Sequence, residues 1–409
     1  MSRVTDLPRT AVPQGVASFL PDLADRKRQV EERLLGTLGR WGYREVIPPL
    51  FEYLDVLAHG LVPETVARGY KVEDRQDGRL MVLRPDVTAQ VARMAAARKD
   101  DPHTPHRFGY ASNVFTQVEA HRARPREMFQ VGAELLGPGG VAADVEILAL
   151  LITALREMGL REFVVAMGQS RFFHAILEGL ELDADGEREL TQAMRRKDGT
   201  SIRALLGRAG VAPERIETVA RIPYLIGGTE VFAAARALTR CADALAALAH
   251  LEKVVAALTA CGLGDHVMVD LGEIRDMSYY TGIVFEVLVP ALGTELGGGG
   301  RYDDLVGRFG HPMHATGFAL DVERLMEALA RAGETAPPVG IDYVVHGPVA
   351  DAHRVAQALR AAGFTAVVGL PGEAPDTAVV SVDGDAITRT DAGGTPLPVT
   401  LAALTHAAR

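Results

Sequence analysis

The chain has 409 residues, 48% hydrophobic and 23% charged, with a formal charge of −10. That is enough sequence for two or three domains and a large core, and the negative balance argues against a nucleic-acid surface. Two cysteines, Cys241 and Cys261, make neither a disulfide framework nor a metal-ligand pattern and point to a reducing cytoplasm, while the absence of a signal-peptide core and of any run of about 18 apolar residues argues against a membrane span.

Residues 1–20 read as irregular. From about Leu23 to Trp41, the residues Val30, Leu34, Leu38 and Trp41 form one stripe opposite Arg28, Glu31 and Glu32, which predicts an amphipathic helix ended by Gly42. YREVIPPLFE reads as a strand interrupted by Pro48 and Pro49. Residues 61–79 read as a polar hairpin with RQDGR at its tip. In LRPDVTAQVARMAAA, Pro85 is predicted in the first turn of a helix, and Asp86 suits the positive end of that helix.

The stretch from Arg107 to Gly137 reads as two alternating strands joined by the basic loop HRARPRE. On the second strand Gln130, Gly132 and Glu134 share one parity, so an amide, a gap and a carboxylate line one face. Two readings stand open there: a solvated strand face, or a grip for a small cationic or polar ligand.

Asp144–Gly159 is predicted as a helix with Val145, Leu148, Ile152 and Leu155 inward, and Phe163–Met167 as a short buried strand. Residues 171–262 are helical almost throughout and read as an insertion. Strands resume at HVMVDLGEIRDMSYYTGIVFEVLVP. The run GGGGRYDD lacks the lysine and hydroxyl residue of a phosphate loop and reads as tight backbone turns between strands. Pro337–Pro338 marks a boundary. The tail reads strand (Ile341–His346), helix (Asp351–Ala362), strands (Ala366–Gly369 and Ala378–Val382) and a last helix (Thr400–Ala408). From Thr335 onward it carries four arginines and no lysine against seven acidic residues, a poor surface for RNA phosphates. The pairs His103/His106 and His311/His314 have no further ligand nearby and read as loop histidines rather than a metal site.

Taken in order over roughly residues 13 to 325, these segments resemble the class II aminoacyl-tRNA synthetases, in the form found in histidyl-tRNA synthetase. PQGVASFLPD resembles its entry segment. The helix, strand and prolines up to Pro49 resemble motif 1, the dimer interface of that superfamily. In LRPDVT, Asp86 and Thr88 stand where a glutamate and a threonine contact histidine. RPREMFQVGAELLG resembles motif 2 and retains Gln130 and Glu134. The arginine and glutamate that hold ATP in the family are replaced by Thr116 and Val118. Arg275, Tyr279 and Tyr280 match the second histidine signature, from which Asp276 and Ser278 depart. GFALDVERL resembles motif 3, with Arg324 at the adenine-stacking arginine and Asp321 in place of a glycine.

The resemblance implies an α+β fold of the class II synthetase type. Its first domain, residues 1–334, would be an antiparallel sheet flanked by helices, with a helical insertion at about 171–262. Residues 335–409 would be a small α/β domain like a shortened anticodon-binding domain. The implied histidine-binding set is Asp86, Thr88, Gln130, Glu134, Arg275, Tyr279 and Tyr280, with no catalytic residue, metal or cofactor. An intact amino-acid half beside a damaged nucleotide half is similar to the regulatory subunits of ATP phosphoribosyltransferase. That family implies no catalysis of its own and a role in the first step of histidine biosynthesis. It also implies a short-form catalytic subunit as partner, L-histidine as effector, and a homodimer within a hetero-octamer, with neither nucleic acid nor membrane involved. The alternative is an active histidyl-tRNA synthetase, which the retained Arg275 favours. A third reading, a synthetase-like module acting on RNA, is opposed by the acidic tail.

Overall fold

The computed structural model describes residues 10–117, 125–180, 182–273, 279–334, 340–370, 377–391 and 394–406. The first helix, α1 (Pro21–Arg40), begins with proline at its first turn and buries Val30, Leu34 and Leu38 as the stripe predicts. Gly42, at φ +82°, turns the chain out of it. The motif-1 stretch gives only short strands, β1 (Arg44–Glu45) and β2 (Phe51–Tyr53), because Pro48 and Pro49 supply no ladder donors between them.

After α2 (Leu54–Leu57), the region read as one polar hairpin is more varied. It opens with α3 (Pro63–Arg68), and only β3 (Lys71–Glu73), the turn between Asp74 and Arg79, and β4 (Leu80–Leu83), which follows it, make an antiparallel hairpin. Pro63 starts α3, and composition alone hid that start under polar residues. Next comes α4 (Thr88–Arg98), which begins three residues later than Pro85 predicts. Asp86 explains the shift: its carboxylate accepts from the backbone N–H of Thr88 at 2.7 Å, so the first turn is built on Asp86 and not on proline.

The predicted strand pair forms β5 (His106–Phe115) and β6 (Glu127–Gly137). After them come α5 (Val141–Glu157) and β7 (Val164–Gln169). The insertion comprises α6 (Ser170–Leu177), α7 (Ala184–Arg195), α8 (Gly199–Arg208), α9 (Pro213–Arg221), a two-residue strand β8 (Ile226–Gly227), α10 (Glu230–Ala237) and α11 (Ala242–Ala260). The chain then returns through β9 (Val267–Asp270), β10 (Ile283–Leu288), β11 (Glu295–Arg301), β12 (His314–Asp321) and α12 (Val322–Arg331).

The nine strands make one sheet in the order β1-β5-β6-β12-β11-β10-β7-β9-β8, antiparallel except for the pairs β1·β5 and β7·β9. β2, β4 and β3 form a separate small antiparallel sheet. Val131, Ala133, Leu135, Phe318 and Leu320 on one face of the large sheet share a core with side chains of α1, α5 and α12. The opposite face carries Tyr110 and Glu134, and a second core there joins Val87, Val91 and Ala95 to Tyr279 and Tyr302.

The glycine run does not make turns. Gly297 to Gly300 lie within β11, paired to β10 and β12 on either side. A Cβ at Gly299 would stand 1.9 Å from the Gly317 carbonyl oxygen, and one at Gly297 would stand 2.3 Å from that of Ala319. Close approach of neighbouring backbone, not turning, demands glycine here.

The chain divides into two compact units, Met1–Ala336 and Pro337–Arg409. The second holds β13 (Tyr343–His346), α13 (Val349–Ala361), β14 (Ala366–Val368), β15 (Ala378–Asp383), β16 (Ala386–Thr390), β17 (Leu397–Pro398) and α14 (Leu401–Thr405). Its sheet runs β14-β13-β15-β16-β17. The last two strands were absent from the sequence reading; β16 is a polar hairpin return whose alternation is short and weak. Among the described residues no helix is long and apolar enough to cross a membrane.

Candidate functional site

Glu134 sits in the middle of β6, 1% exposed, on the sheet face away from α5. The register places it between Phe108 of β5 and Gly317 of β12, and Gly317 is in turn paired with Gly300 of β11. Beside it, Gly132 is paired with Tyr110. These three glycines form a floor. A Cβ on Gly317 would meet Glu134 Oε2 at 1.7 Å, one on Gly132 would meet the Tyr110 hydroxyl at 2.4 Å, and one on Gly300 would meet the Tyr280 ring at 2.8 Å. Glycine therefore allows a carboxylate and two tyrosines to lie flat on the sheet.

A chain of hydrogen bonds holds the carboxylates. The Thr88 hydroxyl, at the start of α4, donates to Glu134 Oε1 at 2.7 Å, and the Tyr302 hydroxyl donates to Oε2. Asp86 Oδ1 accepts from the backbone N–H groups of Thr88 and Ala89. Its other oxygen faces the Tyr279 hydroxyl, at a long 3.5 Å. Tyr279 packs against Tyr280 at 4.8 Å between ring centroids, and edge-on to Tyr302 at 5.9 Å.

Electrostatics follow from this burial. Desolvation pushes Glu134 up to about 8; the bonds from Tyr302 and Thr88 oppose the shift and the charge of Asp86 adds to it. Burial also raises Asp86, against the pull of the Thr88 and Ala89 N–H groups. Tyr110, Tyr279 and Tyr302 are raised well above the ordinary phenol value, first by burial and then by the neighbouring carboxylates. Among the described residues the site is a buried acidic cluster beside aromatic rings with no cation bonded to it, which a ligand carrying positive charge and a flat ring would complement.

The structure brings Asp86, Thr88, Glu134 and Tyr279 together, with Tyr280 on the floor beside them. Gln130 shares their face but lies four residues from Glu134, about 13 Å along the strand, opposite Asp321 of β12. Arg275 lies outside the described residues, as do Val118, Asp276 and Ser278. The sequence reading missed Tyr302 as a partner of Glu134. Its signal was present in GGGGRYDD, where the tyrosine follows the glycine strand directly, but only the pairing of β11 with β12 carries it to Glu134.

The other end of the face differs in character. Asp321 caps α12, accepting from the Arg324 N–H at 3.0 Å, and Arg324 pairs with both Asp321 (3.5 Å) and Glu295 (3.1 Å). The arginine that would be offered to an adenine ring is held in an internal ion-pair cluster. Thr116, whose N–H bonds to the Arg126 carbonyl, carries no charge of its own. A separate cavity of about 490 Å3 opens in the helical insertion, lined by Arg171, Phe173, His174, Leu180 and Leu190 among others. It contains none of the residues singled out from the sequence.

Comparison with known proteins gives a consistent picture. The family described as histidyl-tRNA synthetase matches residues 15–325. An ATP phosphoribosyltransferase regulatory subunit from Moorella thermoacetica is 42% identical over 364 residues, covering 88% of this chain and 92% of that protein. Its counterpart from Syntrophotalea carbinolica is 36% identical over 373 residues, covering 89% and 86%. Among solved structures, an ATP phosphoribosyltransferase regulatory subunit/histidyl-tRNA synthetase from Bacillus halodurans superposes with a TM-score of 0.79 at 30% identity, over 90% of this chain and 95% of the other. A histidyl-tRNA synthetase from Nostoc shares the fold, with a TM-score of 0.77 at 19% identity over 97% and 98%.

Proposed function

We propose that this chain, which belongs to the histidyl-tRNA synthetase family and within it to the ATP phosphoribosyltransferase regulatory subunits, has no catalytic activity of its own and senses histidine in the Asp86–Glu134 pocket. The observation that carries this reading is the contrast between the two ends of one sheet face. At one end, buried carboxylates and tyrosines stand with no cation bonded to them among the described residues. At the other, Arg324 is already paired with Glu295 and Asp321, and the uncharged Thr116 stands where the family's phosphate-holding arginine would. Losing one charge-assisted phosphate contact costs about 1.5–3 kcal/mol, and a nucleotide would also have to break the Arg324 pairing.

The name of its relatives carries with it a catalytic partner, ATP phosphoribosyltransferase, which joins ATP to phosphoribosyl pyrophosphate. In the reading favoured here that partner is the short form, assembled with four copies of each subunit around homodimers of this chain. Ile47 and Phe51, 81% and 53% exposed in the motif-1 segment, support self-association there, since large apolar groups exposed within one short segment are better covered than wet. The cytoplasm, where histidine and the nucleotide substrates are made, is the matching compartment.

Two measurements test the reading. Calorimetry should detect histidine binding to the purified chain or to its assembly with the catalytic subunit. Histidine-dependent exchange of pyrophosphate into ATP should stay at background. Exchange at ordinary synthetase rates would overturn the reading in favour of an active histidyl-tRNA synthetase.

A further inference from the structure

The strand that carries the glycine floor ends in a charged clamp on the side of the sheet away from the pocket. Arg301 closes β11, 6% exposed, and follows Gly300, which lies beneath the Tyr280 ring. Strand alternation turns the Arg301 side chain to the opposite face, toward α5. There its Nε and Nη2 reach one oxygen of Asp144 at 3.0 and 2.8 Å, and its Nη1 donates to Asp303 at 2.9 Å. Each carboxylate has a further partner: His250 of α11 lies 2.7 Å from Asp144, and His314 lies 3.1 Å from Asp303. A buried guanidinium shared between two carboxylates fixes direction as well as charge, because its fork of donors is rigid.

Two segments of the pocket wall are tied to this clamp. Tyr302 is the next residue and emerges on the pocket face, where its hydroxyl donates to Glu134. The Thr281 N–H donates to the Arg301 carbonyl at 2.8 Å, and the Asp303 N–H donates to the Thr281 hydroxyl at 2.9 Å. The stem of Arg301 lies over Gly282, where a Cβ would meet its Cδ at 2.9 Å. Tyr280 directly precedes Thr281. The clamp therefore sets where the Tyr280 and Tyr302 rings stand, and a hydrogen bond weakens steeply once its donor drifts out of line.

We propose that Arg301 is a positioning residue of the histidine site: held by Asp144 and Asp303 on the far face of the sheet, it aims the Tyr302 hydroxyl at Glu134 and so sets histidine affinity without touching the ligand. The inference rests on the pocket being a histidine site.

A double-mutant cycle separates positioning from general stability. Tyr302→Phe removes the donor itself, and histidine affinity, measured by calorimetry on the assembled complex, should fall roughly 10- to 150-fold. Arg301→Met keeps the stem and leaves each carboxylate its histidine partner; affinity should fall roughly 3- to 10-fold as the donor is misaimed. The double variant should fall no further than Tyr302→Phe alone, since a donor that is gone cannot be misaimed. The pH profile is the second readout. The Tyr302 bond opposes the rise in Glu134 proton affinity, so both single variants should carry proton release on binding to higher pH, with the ligand's own titration common to all the proteins. Penalties that add in the double variant, or an Arg301→Met profile identical to wild type, would make Arg301 structural and end the proposal. Should Arg301→Met fail to fold, Arg301→Lys, which keeps the charge and loses the fork, carries the same cycle. A wild-type complex that binds no histidine would overturn the reading of the pocket itself, before the cycle begins.

Discussion

Glu134 is the residue on which the pocket's chemistry turns. Its carboxyl is shifted by burial from an ordinary value of 4.5 up to about 8. The folded state therefore binds a proton that the unfolded chain has released across that interval, and stability falls as pH rises. The contribution is fully present below about 4.5 and is lost as pH climbs through about 8, with a total on the order of a few kcal/mol. Thermal melts of the ligand-free protein between pH 5.5 and 8.5 should show this decline, and Glu134→Gln, which keeps the shape without titrating, should flatten it. An equally steep decline in the variant would move the effect to Asp86, whose carboxyl is raised by the same desolvation. Histidine favours the ionised carboxylate, so binding near pH 7 should release protons, visible as a buffer-dependent heat in calorimetry.

At the scale of an element, β11 and β12 show glycine used as spacing. Two substitutions that differ only in position should give two phenotypes. Gly317→Ala drives a methyl group into the place of Glu134 Oε2 and to 2.6 Å from the Ala133 carbonyl oxygen, so histidine affinity should fall at least about 5-fold and up to about 150-fold as the carboxylate is displaced, with a loss of stability beside it. Gly299→Ala meets the Gly317 carbonyl of the neighbouring strand, which cannot swing aside as a side chain does. Its cost should appear as stability, about 1–3 kcal/mol or more, read as a lower denaturation midpoint. Loss of histidine binding without loss of stability in Gly299→Ala would contradict this division of labour. The short motif-1 strands belong to the same scale. A double change of Ile47 and Phe51 to aspartate should shift the sedimentation coefficient to that of a monomer that keeps its secondary structure by circular dichroism, because both side chains are exposed on the single chain.

For the whole molecule, a sensor matters only if its ligand distinguishes two states of the assembly. Coupling is reciprocal in binding free energy. Substrates that favour the active state should weaken histidine binding by the same factor that histidine weakens theirs, typically about 5- to 150-fold. Histidine affinity measured on the complex with and without phosphoribosyl pyrophosphate and ATP checks this. Unchanged affinity beside clear inhibition of substrate binding would place the regulatory histidine elsewhere.

Local pattern fixed a good deal of this molecule. The stripe Val30, Leu34 and Leu38 determined α1, because helical period is written in consecutive side chains. The parity of Gln130, Gly132 and Glu134 determined that all three share a face of β6, because strand period is also local. Motif order determined the family and drew attention to Asp86 and Thr88. Tertiary structure decided what those residues meet. It moved the start of α4 from Pro85 to Thr88 by letting Asp86 cap it, and it turned a glycine run from turns into a strand. It also laid Tyr302 and Tyr110 beside Glu134. Each of these depends on which strand lies next to which, and on how much water that packing excludes. The raised proton affinity of Glu134 is a property of that exclusion, not of the glutamate.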